Sequence, residues 1–269
     1  MRPMAEISAK DVMKLRNETG LPMMACKKAL GETEGDFEAA KDLLRKQLKG
    51  KMDTRTDRAA GEGRIAIAID GSKAAIVELR AETDFTAKND KFVAAAEKAA
   101  QVALSAQPGP VDPTEEITSA VDDVRISTGE NASYARGLKL EGGSFGQYVH
   151  HDGKTGVLIQ VEGEADPETL RQVCMHITAA VPRPMGVTSD DIPNDIVEKE
   201  RKFRIEQAME SGKPQEIAEK MVEGGMRKFF AEIALLEQDY VIDPSKKIKD
   251  VLGGAEVKTF VRWAVGEEA

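Results

Sequence analysis

The fold is decided by residues 64–85, Arg64-Ile-Ala-Ile-Ala-Ile-Asp-Gly-Ser-Lys-Ala-Ala-Ile-Val-Glu-Leu-Arg-Ala-Glu-Thr-Asp-Phe85. Apolar residues alternate up to Ile69, which predicts a half-buried strand, and Asp70-Gly71 is typical of a two-residue hairpin turn because both positions need positive φ. Lys73 to Arg80 predicts the returning strand. Beyond Phe85 the apolar period lengthens from 2 to about 3.6, which predicts a helix whose buried face carries Phe92, Ala96, Ala99 and Ala103.

A second stretch repeats this plan 82 residues later and needs no gap. Asp70-Gly71 falls on Asp152-Gly153, and Asp84 falls on Asp166. An amphipathic hairpin cannot bury its apolar face alone. We therefore predict an α+β core built from two related sheet-plus-helix subdomains.

The repeat also bears on Phe85. Its spacing from Phe92 alone leaves open whether the ring belongs to the core or faces solvent. Its counterpart is Pro167, which follows Asp166, and Asp followed by Pro is a helix-start signal. By analogy, Asp84 is expected to be a helix N-cap and Phe85 an exposed first-turn residue.

Composition limits the classes of protein. With 269 residues the chain suffices for roughly two domains. It contains no apolar run near the roughly 20 residues that a bilayer needs and no apolar N-terminal signal segment. Two cysteines, Cys26 and Cys174, suit a reducing cytosol, so we expect a cytoplasmic protein. The net charge of −9 disfavours nucleic-acid binding by the main body.

The N-terminal part predicts three short helices. Ser8 to Asp11 has capping-box spacing, Pro22 begins a second helix that ends at Gly31, and Gly35-Asp36 precedes a third. Lys49 to Gly63 lacks apolar periodicity and is predicted to be a linker. Residues 1–58 are thus expected to form a small three-helix N-terminal domain with its linker.

The remaining domains follow from changes of pattern. Residues 59–141 are predicted to form the N-subdomain of the core, and 142–195 with 238–269 the C-subdomain, closed by a strand at Glu256–Val265. Residues 196–237 predict an antiparallel helical hairpin, because one stripe keeps the 4-3-4-3 spacing of a coiled-coil seam. On pattern alone this hairpin is either a packed helical pair or a partner-binding arm. The stripe comprises Val222, Met226, Phe229, Ile233 and Leu236.

Several motifs resemble the bacterial elongation factor Ts family. The first is Leu15-Arg16, Thr19-Gly20 and Met23 to Leu30, and the second is Thr83 to Asn89. Val173 to His176 and Glu198 to Phe230 also match, so that the resemblance spans nearly the whole chain in order. It implies a first domain similar to ubiquitin-associated domains, then the two-part core with a protruding hairpin.

The resemblance also implies a function. Members of this family exchange the guanine nucleotide on elongation factor Tu without catalysing a covalent reaction, and they need no cofactor. It implies that Thr83, Asp84 and Phe85 act beside the Mg²⁺ site of that partner and that His150 contacts the same GTPase, although His151 is adjacent. The N-terminal domain is expected to bind the partner through Leu15, Arg16, Met23 and Met24. A 2:2 assembly with the partner is left open.

Two departures from the family pattern carry expectations of their own. The sequence stops at Ala269, where some members continue into a C-terminal helical module, so any partner contact of that module is expected to be missing. Gly225 stands where members often carry Arg, in a predicted turn Glu223-Gly224-Gly225, and is expected to loosen the hairpin.

The sequence gives less support to an enzyme, a metal-binding protein or a scaffold module. The sequence has no nucleophile elbow, phosphate loop or dinucleotide fingerprint. Cys174 with His176, and His150 with His151, are spaced so that each pair points to different faces, which argues against a metal site. The competing hypothesis is a ubiquitin-associated-type module on a scaffold, which would bind a helix of a chaperone or ribosomal partner around Leu21-Pro22-Met23.

Overall fold

A computed structural model describes residues 7–52, 59–210, 212 and 214–267. Within these ranges the chain forms two compact units. The first contains the residues up to Ala68, then Ala75–Lys139 and the residues from Val265 on. The second contains Ile69–Ala74 and Leu140–Ala264. The architecture is α+β, as the sequence predicts.

The N-terminal residues of the first unit form helices α1 (Ala9–Thr19), α2 (Met23–Glu32) and α3 (Phe37–Met52). The Ser8 hydroxyl caps α1 by accepting the Asp11 N–H, and Gly20 ends it with a positive φ of 76°. Two helix ends differ from those that the sequence predicts. Helix α2 runs one residue past Gly31, and α3 takes up the first four residues of the predicted linker. Residues 53–58 of that linker, with the domain boundary at 58, lie outside the described residues.

The three helices share a small apolar core and also contact the sheet-and-helix part of the same unit. The Arg45 guanidinium donates to the Ser119 carbonyl oxygen at 3.2 Å and pairs with Asp123 at 3.4 Å. Lys91 Nζ donates to the Thr19 carbonyl oxygen at 3.2 Å. Buried in the helical core are Val12, Leu15, Leu21, Cys26, Ala29, Leu30, Ala40 and Leu44.

The rest of the first unit is a sheet covered by helices. Strands β1 (Glu62–Asp70) and β2 (Lys73–Ala81) form the predicted hairpin, and the sheet order is β1-β2-β4-β3, with β3 at Gly109–Pro110 and β4 at Ala132–Glu141. Helices α4 (Asp84–Ala87), α5 (Asp90–Ala103) and α6 (Glu115–Thr128) complete it. The predicted helix face is confirmed, since Phe92, Ala96, Ala99 and Ala103 are all buried.

A buried ion cluster holds the end of the chain to β2. The Glu78 carboxylate is fully buried and accepts from Arg80 at 2.5 Å and Arg136 at 2.7 Å. It also accepts the Gly266 N–H at 3.1 Å. A carboxylate removed from water needs such partners, so this group links β2, β4 and the C-terminal residues.

The second unit repeats the hairpin-plus-helix plan. Strands β5 (Ser144–Val149) and β6 (Thr155–Glu162) pair antiparallel, and β9 (Glu256–Ala264) pairs with the other edge of β6, as predicted. Helix α7 (Pro167–Ala179) packs on them and is capped by Asp166, whose carboxylate accepts the Thr169 N–H at 2.8 Å. At Gly146 a Cβ would lie 2.5 Å from the Cβ of Leu170, so glycine allows β5 to approach α7 closely.

The helical hairpin consists of α8 (Asn194–Glu210) and α9 (Gln215–Ile233). Of the predicted seam, Val222, Met226 and Ile233 are buried and Phe229 is half-buried, whereas Leu236 packs into the core of the second unit. The predicted turn at Gly224 and Gly225 is wrong, because both glycines lie inside α9. Strands β7 (Asp239–Tyr240) and β8 (Asp243–Lys247) and helix α10 (Ile248–Val251) lead to β9.

Candidate partner-binding site

Phe85 is an exposed aromatic ring at the first turn of a very short helix. Its side chain is 83% exposed, whereas Phe92, seven residues later, is fully buried. The ring of Phe85 therefore faces solvent, a question that its spacing from Phe92 left open. Exposing a phenylalanine forgoes the apolar burial that folding rewards, and the ring of Phe85 is not part of the core.

The start of α4 differs from the expectation by one residue. The N-cap is Thr83, and Asp84 and Phe85 are the first two helical residues. Thr83 Oγ1 accepts the Thr86 N–H at 3.3 Å and donates to the Glu130 carboxylate at 2.9 Å. The cap predicted for Asp84 is therefore wrong.

Asp84 has a cationic neighbour on the same turn. Its carboxylate pairs with Lys88 Nζ at 2.7 Å, and the two side chains are 43% and 63% exposed, respectively. An exposed pair of this kind contributes roughly 0–1 kcal/mol, so it opens at little cost when a stronger partner is offered. Thr83, Asp84 and Phe85 thus lie together at the start of α4, where Phe85 is exposed and Thr83 and Asp84 are half-buried.

His150 follows β5 in the second unit and is half-buried. Its backbone is fixed by an N–H bond to the Thr155 carbonyl oxygen at 2.8 Å, and its Nδ1 shares a hydrogen bond of 3.1 Å with the Tyr148 hydroxyl. The His151 ring is more exposed and stands edge-on to that of His150, with centroids 4.3 Å apart. With Nδ1 engaged, the Nε2 atom of His150 is the one left for a partner.

The four N-terminal candidates divide by exposure. Met24 is 74% exposed and Met23 46%, and Arg16 is exposed as well. Leu15 is fully buried in the core of the three helices, so its side chain cannot be a direct contact and instead supports the helix that presents Arg16. Leu21, offered as part of an apolar docking loop, is buried too.

The other histidine is structural. His176 is only 2% exposed. Its Nδ1 accepts the Val241 N–H at 3.2 Å and its Nε2 bonds to Gln238 Oε1 at 2.9 Å. Burial lowers the pKa of His176. Burial likewise raises the pKa of the Cys174 thiol to about 12, so this cysteine is inert as a nucleophile.

The described residue ranges contain neither a candidate metal site nor a candidate membrane-spanning helix. No three His, Cys, Asp or Glu side chains there are grouped so as to hold a metal ion. No helix in those ranges is long and apolar enough to cross a bilayer.

Sequence reasoning missed the residues that support the candidate contacts. Glu130 is 47 positions from Thr83 in the chain, and no local pattern connects them. Tyr148 lies two residues from His150, which directly follows β5, and this close spacing was the available signal.

Comparison with known proteins identifies the family. The model of the family described as elongation factor TS matches residues 82–267. The elongation factor Ts of Thioalkalivibrio sulfidiphilus is 42% identical over 275 residues, which cover 97% of this chain and 92% of that protein. The elongation factor Ts of Hydrogenovibrio crunogenus is 43% identical over 274 residues, with 97% and 92% covered. The chain therefore belongs to the elongation factor Ts family of translation elongation factors.

Proposed function

We propose that this chain is a cytoplasmic guanine-nucleotide exchange factor for elongation factor Tu, which promotes GDP release without covalent chemistry of its own. The observation that carries the proposal is the exposed ring of Phe85 beside the Asp84 carboxylate, on a turn anchored by Thr83. An aromatic ring and an acid on a fixed support suit insertion into another protein.

The thermodynamic requirement is differential affinity. An exchange factor has to bind the nucleotide-free GTPase more tightly than the nucleotide-bound form, since only such a difference shifts the equilibrium. In the bound form, Mg²⁺ on the nucleotide phosphates is a large local charge. Asp84 would compete for groups near that ion once it leaves Lys88, and Phe85 would separate the elements that hold them.

The remaining contacts would supply affinity. Arg16, Met23 and Met24 on the N-terminal helices offer a cation and two flexible apolar side chains, and Met adapts readily to a partner surface. His150 would add a hydrogen bond through Nε2. Leu15 acts only through the helix it supports. Whether one or two copies of each protein assemble is decided by the mass of the purified complex in light scattering.

The test is GDP release from a Tu-type GTPase loaded with fluorescent GDP. Catalytic amounts of this chain should accelerate release many-fold, and Phe85→Ala should abolish most of that acceleration while the melting temperature stays within a few degrees. Release unchanged by the unmodified chain would reject the function.

A matched pair isolates the acid. Asp84 and Asp90 each lie in the first turn of a helix, where the helix dipole favours a carboxylate. Asp84→Asn should slow release, and Asp90→Asn should not. Equal effects of the two substitutions would show that the acid acts on the fold and not on the partner.

A further inference from the structure

The short connection between α6 and β4, Gly129-Glu130-Asn131, is tied by two hydrogen bonds to the residues just before Asp84. The Thr83 hydroxyl donates to the Glu130 carboxylate at 2.9 and 3.0 Å from its two oxygens. The Asn131 N–H donates to Glu82 Oε1 at 2.7 Å. Both bonds join segments almost 50 residues apart in the chain.

The connection itself is well fixed. Gly129 ends α6 with a positive φ of 75°, and its N–H donates to the Arg125 carbonyl oxygen. The Glu130 N–H donates to Thr128 Oγ1 at 3.3 Å. Asn131 is 5% exposed and directly precedes β4. Glu130 therefore presents its carboxylate from an anchored backbone.

The hydrogen bond from the Thr83 hydroxyl to Glu130 orients the hydroxyl group. A hydroxyl has one proton to donate and two lone pairs that accept. Because the proton points to Glu130, a lone pair is left to accept the Thr86 N–H, which is the N-cap bond of α4. Glu130 thus sets the orientation of the group that starts the helix.

Helix α4 is short, and its backbone hydrogen bonds, such as Ala87 N–H to the Thr83 carbonyl oxygen and Lys88 N–H to that of Asp84, lie within the turn itself. It has four residues, of which only Thr86 and Ala87 are buried. The Phe85 ring is too exposed to hold its own backbone, and the Asp84–Lys88 pair lies within the same turn. The bond from Thr83 to Glu130 joins the cap of this turn to a segment 47 residues away, so it contributes to the direction in which Asp84 and Phe85 point.

We infer that Glu130 is a positioning residue for nucleotide exchange, which acts through Thr83 to aim Asp84 and Phe85 at the partner. The inference rests on the proposed function and adds a residue outside the motif that carries the family resemblance. Glu130 itself does not touch the nucleotide site. Its effect is on the rate of GDP release at saturating exchange factor, because a displaced ring is less effective even when the complex has formed.

The experiment compares release rates at saturating concentrations of each variant. Glu130→Ala should slow GDP release about tenfold, the order expected when a reacting group is misplaced by less than 1 Å. Glu130→Gln keeps an oxygen that accepts from Thr83 and should stay near the unmodified rate. Glu115→Ala removes the same charge from the first turn of α6 and serves as the matched control, with no change expected.

A double variant separates positioning from a general structural role. In a Phe85→Ala background, Glu130→Ala should add little, because the ring it aims is gone. If Glu130→Ala releases GDP at the unmodified rate, or slows it equally in both backgrounds, the inference is overturned. Should Glu130→Ala lower the melting temperature strongly, Glu130→Asp tests the same bond, since it keeps the charge but its side chain is one methylene shorter. Slower release with Glu130→Asp supports the inference, and release at the unmodified rate overturns it.

The same measurements distinguish failure of this inference from failure of the proposed function. An unmodified chain that does not accelerate release rejects the function, whereas acceleration that needs Phe85 but not Glu130 rejects only this inference.

Discussion

The two adjacent glycines in the middle of α9 are expected to respond oppositely to the same substitution. A Cβ added at Gly224 has no atom within 4 Å. A Cβ added at Gly225 would lie 2.6 Å from Nη1 and 2.8 Å from Cδ of Arg204 on α8. The absence of a side chain at Gly225 is thus what allows Arg204 to lie across α9.

The magnitudes follow from these distances. Alanine is favoured over glycine inside a helix by about 1 kcal/mol, so Gly224→Ala should stabilise the hairpin by roughly 0.5–1 kcal/mol. Gly225→Ala gains the same propensity but displaces Arg204. That guanidinium pairs with Glu200 at 2.7 Å, and both side chains are only 24% exposed. Losing the pair and the packed stem costs about 1 kcal/mol, so the net effect should be near zero.

Amide hydrogen exchange in α8 and α9 is the appropriate assay, because it reports the local opening of these two helices directly. Gly224→Ala should slow exchange of the protected amides about fivefold, which corresponds to about 1 kcal/mol. Gly225→Ala should leave exchange within about twofold of the unmodified chain.

Equal slowing by the two substitutions would refute this reasoning, since it would mean that Arg204 does not lie on Gly225. The control is Arg204→Ala. Once that side chain is removed, Gly225→Ala should stabilise the hairpin as much as Gly224→Ala does. The expectation that Gly225 merely loosens the hairpin ignores this interhelical contact.

Two further predictions concern stability. Phe92→Ala should cost about 3–5 kcal/mol because the ring is fully buried, whereas Phe85→Ala should cost less than about 1 kcal/mol, and similar losses in urea unfolding would contradict the difference in burial. The lowered pKa of His176 means that the unfolded chain binds a proton more readily than the folded chain, so stability should be full above about pH 6.5 and fall as pH drops through the folded pKa. His176→Gln should flatten that acid slope in melting temperature, and the exposed-site control His151→Gln should not; an unchanged slope in His176→Gln would show that other groups set it.

Much of the fold could be predicted because burial leaves a period in the sequence. The alternation that ends at Asp70 and the spacing of Phe92, Ala96 and Ala99 directly record which side chains face the core. The repeat offset of 82 residues places β1 and β2 on β5 and β6 almost residue for residue. These elements bury apolar faces, and such faces produce a regular spacing of apolar residues in the sequence.

The start of the first-unit helix could not be predicted in the same way. The analogy with Asp166 and Pro167 assigned the cap to Asp84, but the structure uses Thr83 and then interrupts the helix before α5, which has its own cap at Asn89. The second unit has a single continuous helix, α7, at the equivalent place. The Thr83 hydroxyl caps α4 and also donates to Glu130, so one of the contacts at this boundary comes from a residue 47 positions away.

Polar contacts of this kind explain why the supporting residues of the candidate site lie outside any motif. A hydrogen bond needs two groups within about 3 Å and no periodicity, so Glu130 has no more signal in the sequence than any other surface acid. The same holds for Arg204, whose place is set by a missing Cβ on another helix. Asp84 and Phe85 can therefore be found by resemblance to the family, while the residues that position them can be found only from the fold. It follows that a chain with an intact Thr83-Asp84-Phe85 stretch should still exchange nucleotide about tenfold more slowly when the Glu130 carboxylate is removed.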